Sequence, residues 1–155
     1  MDAFKLIISI LICQFAGVVG SIFTYPAISG WYGSLAKPFF TPPNWAFAPV
    51  WLTLFALMGI SLYLVWAQQS TKVSANKGLK FFKIQLALNV LWSIVFFGLQ
   101  SPVLGLVVIV LLWFAILYTI LEFWRASRNA AWLLVPYIVW VTIAAALNAG
   151  VWLLN

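Results

Sequence analysis

Indole and amide side chains dominate the residues of this chain that could recognise a ligand. Ten tryptophans occur among 155 residues, and Asn89 and Asn148 each lie inside an apolar run. Indole rings stack on flat aromatic molecules, and polar side chains in an apolar site fix the orientation of what is bound. These residue types predict a site for a planar, mostly apolar ligand.

The sequence contains few of the residues that conventional catalysis requires. Asp2 and Glu122 are the only acidic residues, and histidine is absent. General acid–base and nucleophilic mechanisms need a reactive group placed beside a proton donor or acceptor. The titratable residues therefore predict neither a hydrolytic site nor a metal site.

Five long apolar runs must position the candidate residues. Hydrophobic residues make up 66% of the chain and charged residues 6%, with a mean hydropathy of +1.11, which is too little polar surface for a soluble globule. The runs cover about residues 4–25, 45–67, 81–100, 103–124 and 131–154, each near the 20 residues that span hydrocarbon. No segment alternates with the period of two that membrane β-strands show. The sequence predicts an all-α integral membrane protein, a five-helix bundle that forms a single domain over residues 1–155.

Basic residues fall almost entirely on one side of this five-helix path. On that side lie Lys5, Lys72, Lys77, Lys80, Lys83, Arg125 and Arg128. Only Lys37 falls on the other side. The positive-inside rule then predicts a cytoplasmic amino terminus and an external carboxyl terminus, if the membrane is a plasma membrane. Topogenic charge and lipid headgroups account for these residues, so nucleic acid is not expected as a partner.

The connection over about residues 26–44 is the most distinctive loop. Pro38, Pro42 and Pro43 forbid a continuous helix through it, although a short helical turn around residues 31–36 is compatible with the sequence. The loop is rich in aromatic residues and should cover one end of the bundle as a lid. Residues 68–78 are polar and are predicted to form a loop on the opposite side.

Two helix faces combine amides with indoles at helical spacing. The third run carries Asn89, Trp92, Ser93 and Phe96, and the fifth carries Trp140, Ala144, Asn148 and Trp152. Two interpretations remain open for the asparagines: hydrogen bonds that join helices, or contacts with a ligand. Two interpretations also remain open for Lys37: it pairs with an anionic group of the ligand, or it snorkels to the membrane interface.

Small residues repeat every four positions on two of the helices. The pairs are Ala16 with Gly20, Ala145 with Ala149, and Ala146 with Gly150. This spacing predicts close helix crossings within the chain or a homodimer seam. Pro136 should loosen the helix turn that precedes it.

Three blocks of residues resemble the TspO/MBR family, which includes translocator proteins and tryptophan-rich sensory proteins. The blocks are Trp31-Tyr32 to Lys37-Pro38, Pro42-Pro43 and Val50-Trp51; Leu88-Asn89, Trp92-Ser93 and Phe96-Phe97; and Trp132-Leu133, Pro136-Tyr137, Trp140, Ala144 and Leu147-Asn148. The resemblance covers essentially the whole chain. It implies a five-helix bundle, often dimeric, with a cavity under the first loop that binds porphyrins and aromatic drug-like ligands.

The resemblance and the residues together imply a set of ligand-binding positions. They are Trp31, Tyr32, Lys37, Pro42, Trp51, Asn89, Trp92, Trp140, Ala144 and Asn148. Without histidine, and with only Cys13 and methionines as soft donors, the chain lacks the usual axial ligands of haem iron. A metal-free protoporphyrin is therefore the expected ligand, with no covalently bound cofactor.

Three functions follow as alternatives. The first is a membrane receptor or sensor that binds tetrapyrroles and regulates their level or a stress response. The second, implied by the resemblance, is light-dependent breakdown of protoporphyrin, in which Trp51 and Trp140 would be the catalytic residues. The third is transport of a tetrapyrrole or another small molecule, for which the few intramembrane polar residues give the weakest support.

Overall fold

The computed structural model describes residues 1–155 and is entirely helical. Its elements are α1 (Ala3–Ser29), α2 (Trp31–Ser34), α3 (Asn44–Trp66), α4 (Val73–Ser93), a π-helical continuation of α4 (Ile94–Gly98), α5 (Pro102–Ala126) and α6 (Arg128–Leu154). Five helical stretches are long and apolar enough to cross a membrane. The predicted all-α architecture with five spans is confirmed.

Helix starts follow ordinary capping chemistry. The side chains of Asp2, Ser101 and Ser127 accept hydrogen bonds from backbone N–H groups in the first turns of α1, α5 and α6. Each cap satisfies a donor that has no partner within its helix. Pro43 occupies the cap position of α3, so the prolines of the loop end where the second span begins.

The prediction that the first helix stops at residue 25 is wrong. Helix α1 continues through Pro26 to Ser29, and α2 follows after Gly30 alone. A proline in the last turn removes one hydrogen bond, but its fixed φ angle remains helical. The continuation buries Ala27 and carries the chain directly into the short helical turn expected near residues 31–36.

The start of the third span is also corrected, because α4 begins at Val73 and not near residue 81. Only the six residues from Ala67 to Lys72 separate α3 from α4. The polar stretch that suggested a loop is amphipathic: Ala75, Gly78 and Leu79 are buried, while its lysines face outward. One face packs in the bundle and the other stays polar, which is how a helix extends beyond the hydrocarbon.

The five spans are arranged in a closed ring in the order α1, α3, α6, α5 and α4, with α4 returning to α1. Helices α4, α5 and α6 share the most extensive contacts, and α1 is attached to the ring mainly through α3. The tightest packing of the bundle therefore lies on the side of α4, α5 and α6.

The basic residues gather at one end of the bundle, called here the basic end. Lys72 Nζ donates to the carbonyl oxygen of Ala126 at 2.6 Å, and Lys5 lies over the ring of Trp66 at 5.7 Å. The opposite end, called the loop end, carries α2 and the connection to α3. The grouping of charge agrees with the positive-inside pattern, while the direction of insertion stays a prediction.

Small residues bring helices into close contact near the basic end. A Cβ atom added to Gly59 would lie 2.5 Å from Cα of Ile10, so the α1 and α3 backbones nearly touch there. A Cβ on Gly78 would lie 2.6 Å from the ring of Phe123 on α5. At the loop end Gly150 of α6 packs directly against Pro38 of the loop. Of the small residues singled out from the sequence, Gly20 lies close to α4, since an added Cβ would be 3.1 Å from Ser93 Oγ, whereas Gly150 meets the loop and no other helix. The homodimer seam stays a prediction.

Candidate ligand cavity

A cavity of about 270 Å³ lies between α1, α3 and α4 in the loop-end half of the bundle. Its aromatic walls are Phe47, Trp51, Phe55, Trp92 and Phe97. Its polar lining comes from Gln14, Ser21, Thr24, Tyr25, Asn89 and Ser93. The cavity combines apolar surface, indole rings and a few polar atoms, as small-molecule sites do.

The cavity opens sideways between α1 and α3. Among its lining residues, Val18, Ser21 and Tyr25 of α1 and Ala48 and Leu52 of α3 are exposed on the outer surface of the bundle. This surface belongs to two helices that are long and apolar enough to cross a membrane. The cavity is therefore open at the side of the bundle, between two spans.

One hydrogen bond joins the two helices that border this opening. Gln14 Nε2 donates to the backbone carbonyl of Leu52 at 3.0 Å. The bond uses one of the two N–H donors of the Gln14 amide.

A cluster of aromatic rings separates the cavity from α2 and the loop. Tyr32 makes edge contacts with Phe96 and Phe97, and Trp92 stacks on Phe96 at a centroid distance of 5.4 Å. Trp31 meets Phe96 edge-on at 5.6 Å. These ring contacts attach α2 to the end of α4.

The π-helical end of α4 makes this cluster possible. Leu99 N–H donates to the carbonyl of Ile94, five residues back, at 2.8 Å. The wider turn places the consecutive residues Phe96 and Phe97 both in the interior, 2% and 6% exposed, with their rings 4.8 Å apart. In a regular α-helix neighbouring side chains diverge by about 100°. Such π segments occur often at functional sites.

A buried hydrogen-bond chain runs from α4 to α6 beside the cavity. Asn89 Nδ2 donates to the hydroxyl oxygen of Tyr137 at 2.9 Å, and the Tyr137 hydroxyl donates to Gln85 Oε1 at 2.8 Å. Tyr137 and Gln85 are each 1% exposed. Gln85 Nε2 has no partner within the protein.

The second asparagine is bonded on both sides of its amide. Trp92 Nε1 donates to Asn148 Oδ1 at 3.1 Å, and Asn148 Nδ2 donates to the carbonyl of Pro102 at 2.7 Å. Both asparagines therefore make the hydrogen bonds between helices that their sequence positions allowed. Asn89 differs in that it also lines the cavity.

Lys37 folds back onto the loop. Its Nζ donates to the carbonyls of Tyr32 and Leu35 at 2.9 and 3.1 Å and lies 4.9 Å from the centre of the Tyr32 ring. The ammonium thus caps the carboxyl end of α2, where free carbonyls and the helix dipole favour a cation. It satisfies the turn it belongs to and does not line the cavity.

Comparison with known proteins identifies the chain's relatives. The model of the TspO/MBR family matches residues 9–153. The chain belongs to the TspO/MBR family. It is 46% identical to the tryptophan-rich protein TspO of Archaeoglobus fulgidus over 155 residues, covering 100% of this chain and 99% of that protein.

Other relatives in the family carry different names. Protein CrtK of Rhodobacter capsulatus is 43% identical over 143 residues, which cover 92% of this chain and 88% of that protein. The human translocator protein is 38% identical over 137 residues, with 86% of this chain and 80% of that protein covered. The resemblance noted from sequence motifs is confirmed along nearly the whole chain.

In this TspO/MBR protein the ten positions predicted to bind a ligand fall into three groups, of which the first two share Trp92. Trp51, Asn89 and Trp92 line the cavity. Tyr32, Trp92, Ala144 and Asn148 surround a second void of only about 20 Å³ next to the aromatic cluster. Trp31, Lys37, Pro42 and Trp140 line neither space.

Trp140 lies behind the cavity wall. Its ring meets Trp51 edge-on at 6.5 Å and Phe47 at 6.1 Å, and both of those residues face the cavity. Trp140 therefore supports the wall and lies one ring behind the surface of the cavity.

The α1 wall of the cavity was missed from the sequence. Gln14, Gly17, Ser21, Thr24 and Ile28 line it, at alternating spacings of three and four residues. That spacing is the signature of one helix face, and its small and polar members stand out in an otherwise apolar helix. The signal was present in the sequence and could have been used.

Proposed function

We propose that this protein is a membrane receptor or sensor that binds porphyrins, with metal-free protoporphyrin IX as the type ligand, and other flat aromatic molecules. The observation that carries the proposal is the cavity walled by Trp51, Trp92, Phe47 and Phe97 and open to the lipid phase. Rings stacked on indoles gain about 0.5–1.5 kcal/mol beyond the burial of their apolar area.

The size of the cavity defines how such a ligand would sit. At about 270 Å³ it is slightly below the range of about 300–1,000 Å³ that encloses drug-sized molecules. A tetrapyrrole would place one edge between Trp51 and Trp92 and leave its propionates in the lateral opening or beyond it. Smaller aromatic molecules would fit entirely.

Binding is tested by titrating the protein in lipid nanodiscs with protoporphyrin in the dark and following tryptophan fluorescence. We expect saturable quenching that empty nanodiscs cannot reproduce. Trp51→Ala should weaken the affinity about threefold to tenfold, because one stacking surface is lost. Trp132→Ala is the matched control, since Trp132 lies at the basic end and is 61% exposed. Equal effects of the two substitutions would contradict the proposed site.

Light-dependent breakdown of the bound porphyrin is the second candidate, and the contact between Trp51 and Trp140 favours it. A photoexcited ring beside Trp51 can take one electron from the indole, and Trp140, in edge contact at 6.5 Å, can then reduce the oxidised Trp51 and carry the electron hole itself. Opening of the reduced ring would require dioxygen as the co-reactant, which accepts the electron and adds to the carbon atoms between which the ring bond breaks. The chemistry would belong to the excited porphyrin, and the protein would supply position and electrons.

Illumination of the loaded protein separates the two candidates. If breakdown is the function, absorbance bleaches only with protein present, and Trp51→Phe abolishes the bleaching while Trp132→Phe does not. Stable absorbance in the wild-type protein, with quenching intact, leaves binding and sensing as the function. Bleaching of Trp51→Phe at the wild-type rate would remove Trp51 from the electron-donor role.

A further inference from the structure

Three lysines on the outer side of α4 have no partner within the protein. Lys77, Lys80 and Lys83, called here the lysine face, are exposed, and none of them takes part in an ion pair, a side-chain hydrogen bond or a cation–π contact. The positive-inside pattern accounts for the end of the bundle at which the lysines occur. It does not account for three unpaired cations on one side of one helix.

The acidic residues of the chain are already paired elsewhere. Asp2 Oδ2 lies 3.9 Å from Lys5 Nζ, and Glu122 Oε1 lies 2.9 Å from Arg125 Nη1. The sequence contains no other acidic residue. The negative charge that balances the lysine face therefore comes from a molecule outside this chain.

The spacing of the lysines spreads them across the outer side of α4. A step of three residues falls about 60° short of a full helical turn, so the three side chains cover a sector of about 120°. The buried residues Ala75, Gly78 and Phe82 occupy the opposite side of the same turns. The lysine face therefore directs its charges away from the bundle.

Apolar residues continue this side of α4 toward the loop end. Four positions after the three lysines come Phe81, Ile84 and Ala87, and residues four apart in a helix share a face. Together with Leu91 they are called here the apolar band, in which Ile84 and Leu91 are 40% and 42% exposed. Because Cα–Cβ bonds tilt toward the amino end of a helix, the lysine side chains lean toward the basic end and away from the apolar band.

We propose that the lysine face and the apolar band together bind an anionic phospholipid, with its phosphate at the lysines and its acyl chains along the apolar band. An inorganic anion would use the cations and leave the apolar band uncovered. A zwitterionic lipid would cover the apolar band but bring a cation of its own to the lysines. An amphiphile with a net negative charge matches both.

The place of the apolar band favours a lipid over a soluble acidic partner. The band belongs to the stretch from Val73 to Gly98, which is long and apolar enough to cross a membrane. Basic residues that adjoin such a span attract anionic headgroups. None of these residues lines the cavity, so the inference does not depend on the proposed function.

The experiment offers the whole protein an equimolar mixture of dioleoyl phosphatidylglycerol and dioleoyl phosphatidylcholine in detergent micelles. The two lipids have the same acyl chains, so only the headgroup differs. Native mass spectrometry counts which lipid stays bound. We expect phosphatidylglycerol to be enriched about tenfold or more in the first bound lipid, because each lysine beside an anionic headgroup contributes about fivefold.

Replacing all three residues of the lysine face with glutamine should bring the ratio of the two lipids to about one. Replacing them with arginine should preserve the enrichment, because the charge is kept. The matched control removes the same charge from the same end of the bundle, at cations that already contact protein groups, and should also preserve it: Lys5→Gln, Lys72→Gln and Arg128→Gln together.

Circular dichroism checks that each variant is folded. If the triple glutamine variant does not fold, Lys80→Gln alone carries the test and should lower the enrichment about fivefold. Equal binding of both lipids by the wild-type protein, enrichment that persists without the lysines, or an equal loss in the control variant would overturn the inference.

Two soluble competitors test the other possible occupants of the lysine face. Glycerol phosphate carries the anionic headgroup without acyl chains, and a glutamate-rich peptide stands for an acidic protein segment. Neither should displace phosphatidylglycerol at an equal concentration. Displacement by glycerol phosphate would mean that the lysine face is a site for small anions, and displacement by the peptide would mean that it binds a protein. Either result would overturn the lipid assignment.

Discussion

Toward the basic end, α1 and α3 approach until Gly59 lies against the backbone of Ile10, whereas toward the loop end aromatic side chains hold α1, α3 and α4 around a cavity. The same pair of helices therefore makes a close crossing in one half and a wall with an opening in the other. Small residues allow backbones to meet, and large rings keep them apart. One half supplies stability, and the other supplies the space for a ligand.

The strongest test of this difference is to add one methyl group to each half of the bundle, in two separate variants, and to compare their stabilities. Gly59→Ala would place a Cβ 2.5 Å from Cα of Ile10, where only a shift of backbone can relieve the clash. We expect a loss of about 2–3 kcal/mol in stability, read from unfolding in detergent. Gly17→Ala is the matched change in the hollow half, where the Cβ meets only the ring of Phe55, which can move toward the cavity. It should cost less than about 1 kcal/mol, and equal losses would mean that both halves are packed alike.

The lateral opening gives the next effect. Ser21→Trp would place an indole between α1 and α3 at the mouth of the cavity. We expect the association rate of a lipid-dissolved aromatic ligand to fall about tenfold, because the route narrows and binding must await a helix movement. Stopped-flow quenching measures the rate. Ile12→Trp, on the outer surface of the same helix but away from the cavity, is the control, and an unchanged rate in Ser21→Trp would point to entry from the loop end.

The loop should have a smaller influence. Pro42 and Pro43 restrict the chain just before α3, so less entropy is lost when a ligand orders the neighbouring rings. Replacing both with glycine should weaken ligand affinity about fivefold, as each proline restricts the flexible state by about 0.4–1 kcal/mol. Titration by tryptophan quenching tests this, with helical content checked by circular dichroism. Wild-type affinity in the double variant would make the loop only a connector.

The smallest expected effect lies where the loop meets the end of α6. The Asn155 side chain accepts from Ala36 N–H at 3.1 Å and donates to the Ala36 carbonyl at 2.9 Å. Asn155→Ala should raise hydrogen exchange at Ala36 by about tenfold, because two exposed hydrogen bonds are lost together. Exchange within α4 should not change. If Ala36 exchanges at the wild-type rate, Pro38 packed against Gly150 holds the loop by itself.

The ends of the helices show which parts of the spans can be predicted from hydropathy. The apolar runs predicted all five spans. However, the predicted end of the first span lies just before Pro26, whereas α1 continues to Ser29, and the predicted start of the third span lies eight residues after Val73, where α4 begins. Hydropathy measures transfer into hydrocarbon, and a helix that leaves the membrane has no such signal. The first turns of α4 are recognised only through their buried face, with Gly78 against Phe123.

Helical periodicity likewise predicts only some of the side chains that line the cavity. Periodicity placed Asn89 and Trp92 on one inward face, and both line the cavity. The same periodicity predicted that Trp140 lines the cavity, although its ring lies behind Trp51. The π segment that turns both Phe96 and Phe97 inward has no pattern in the sequence, because it follows from how α4 ends against its neighbours.

The sequence by itself determined the number of spans, the segregation of charge and the presence of polar residues within the bundle. These follow because a helix that crosses hydrocarbon must be long and apolar, and because polar groups are costly there. Only the tertiary structure decided which amide faces the cavity and which indoles form its wall. Those choices depend on the distances between helices, which are set by contacts such as that of Gly59 with Ile10 and which no single helix encodes.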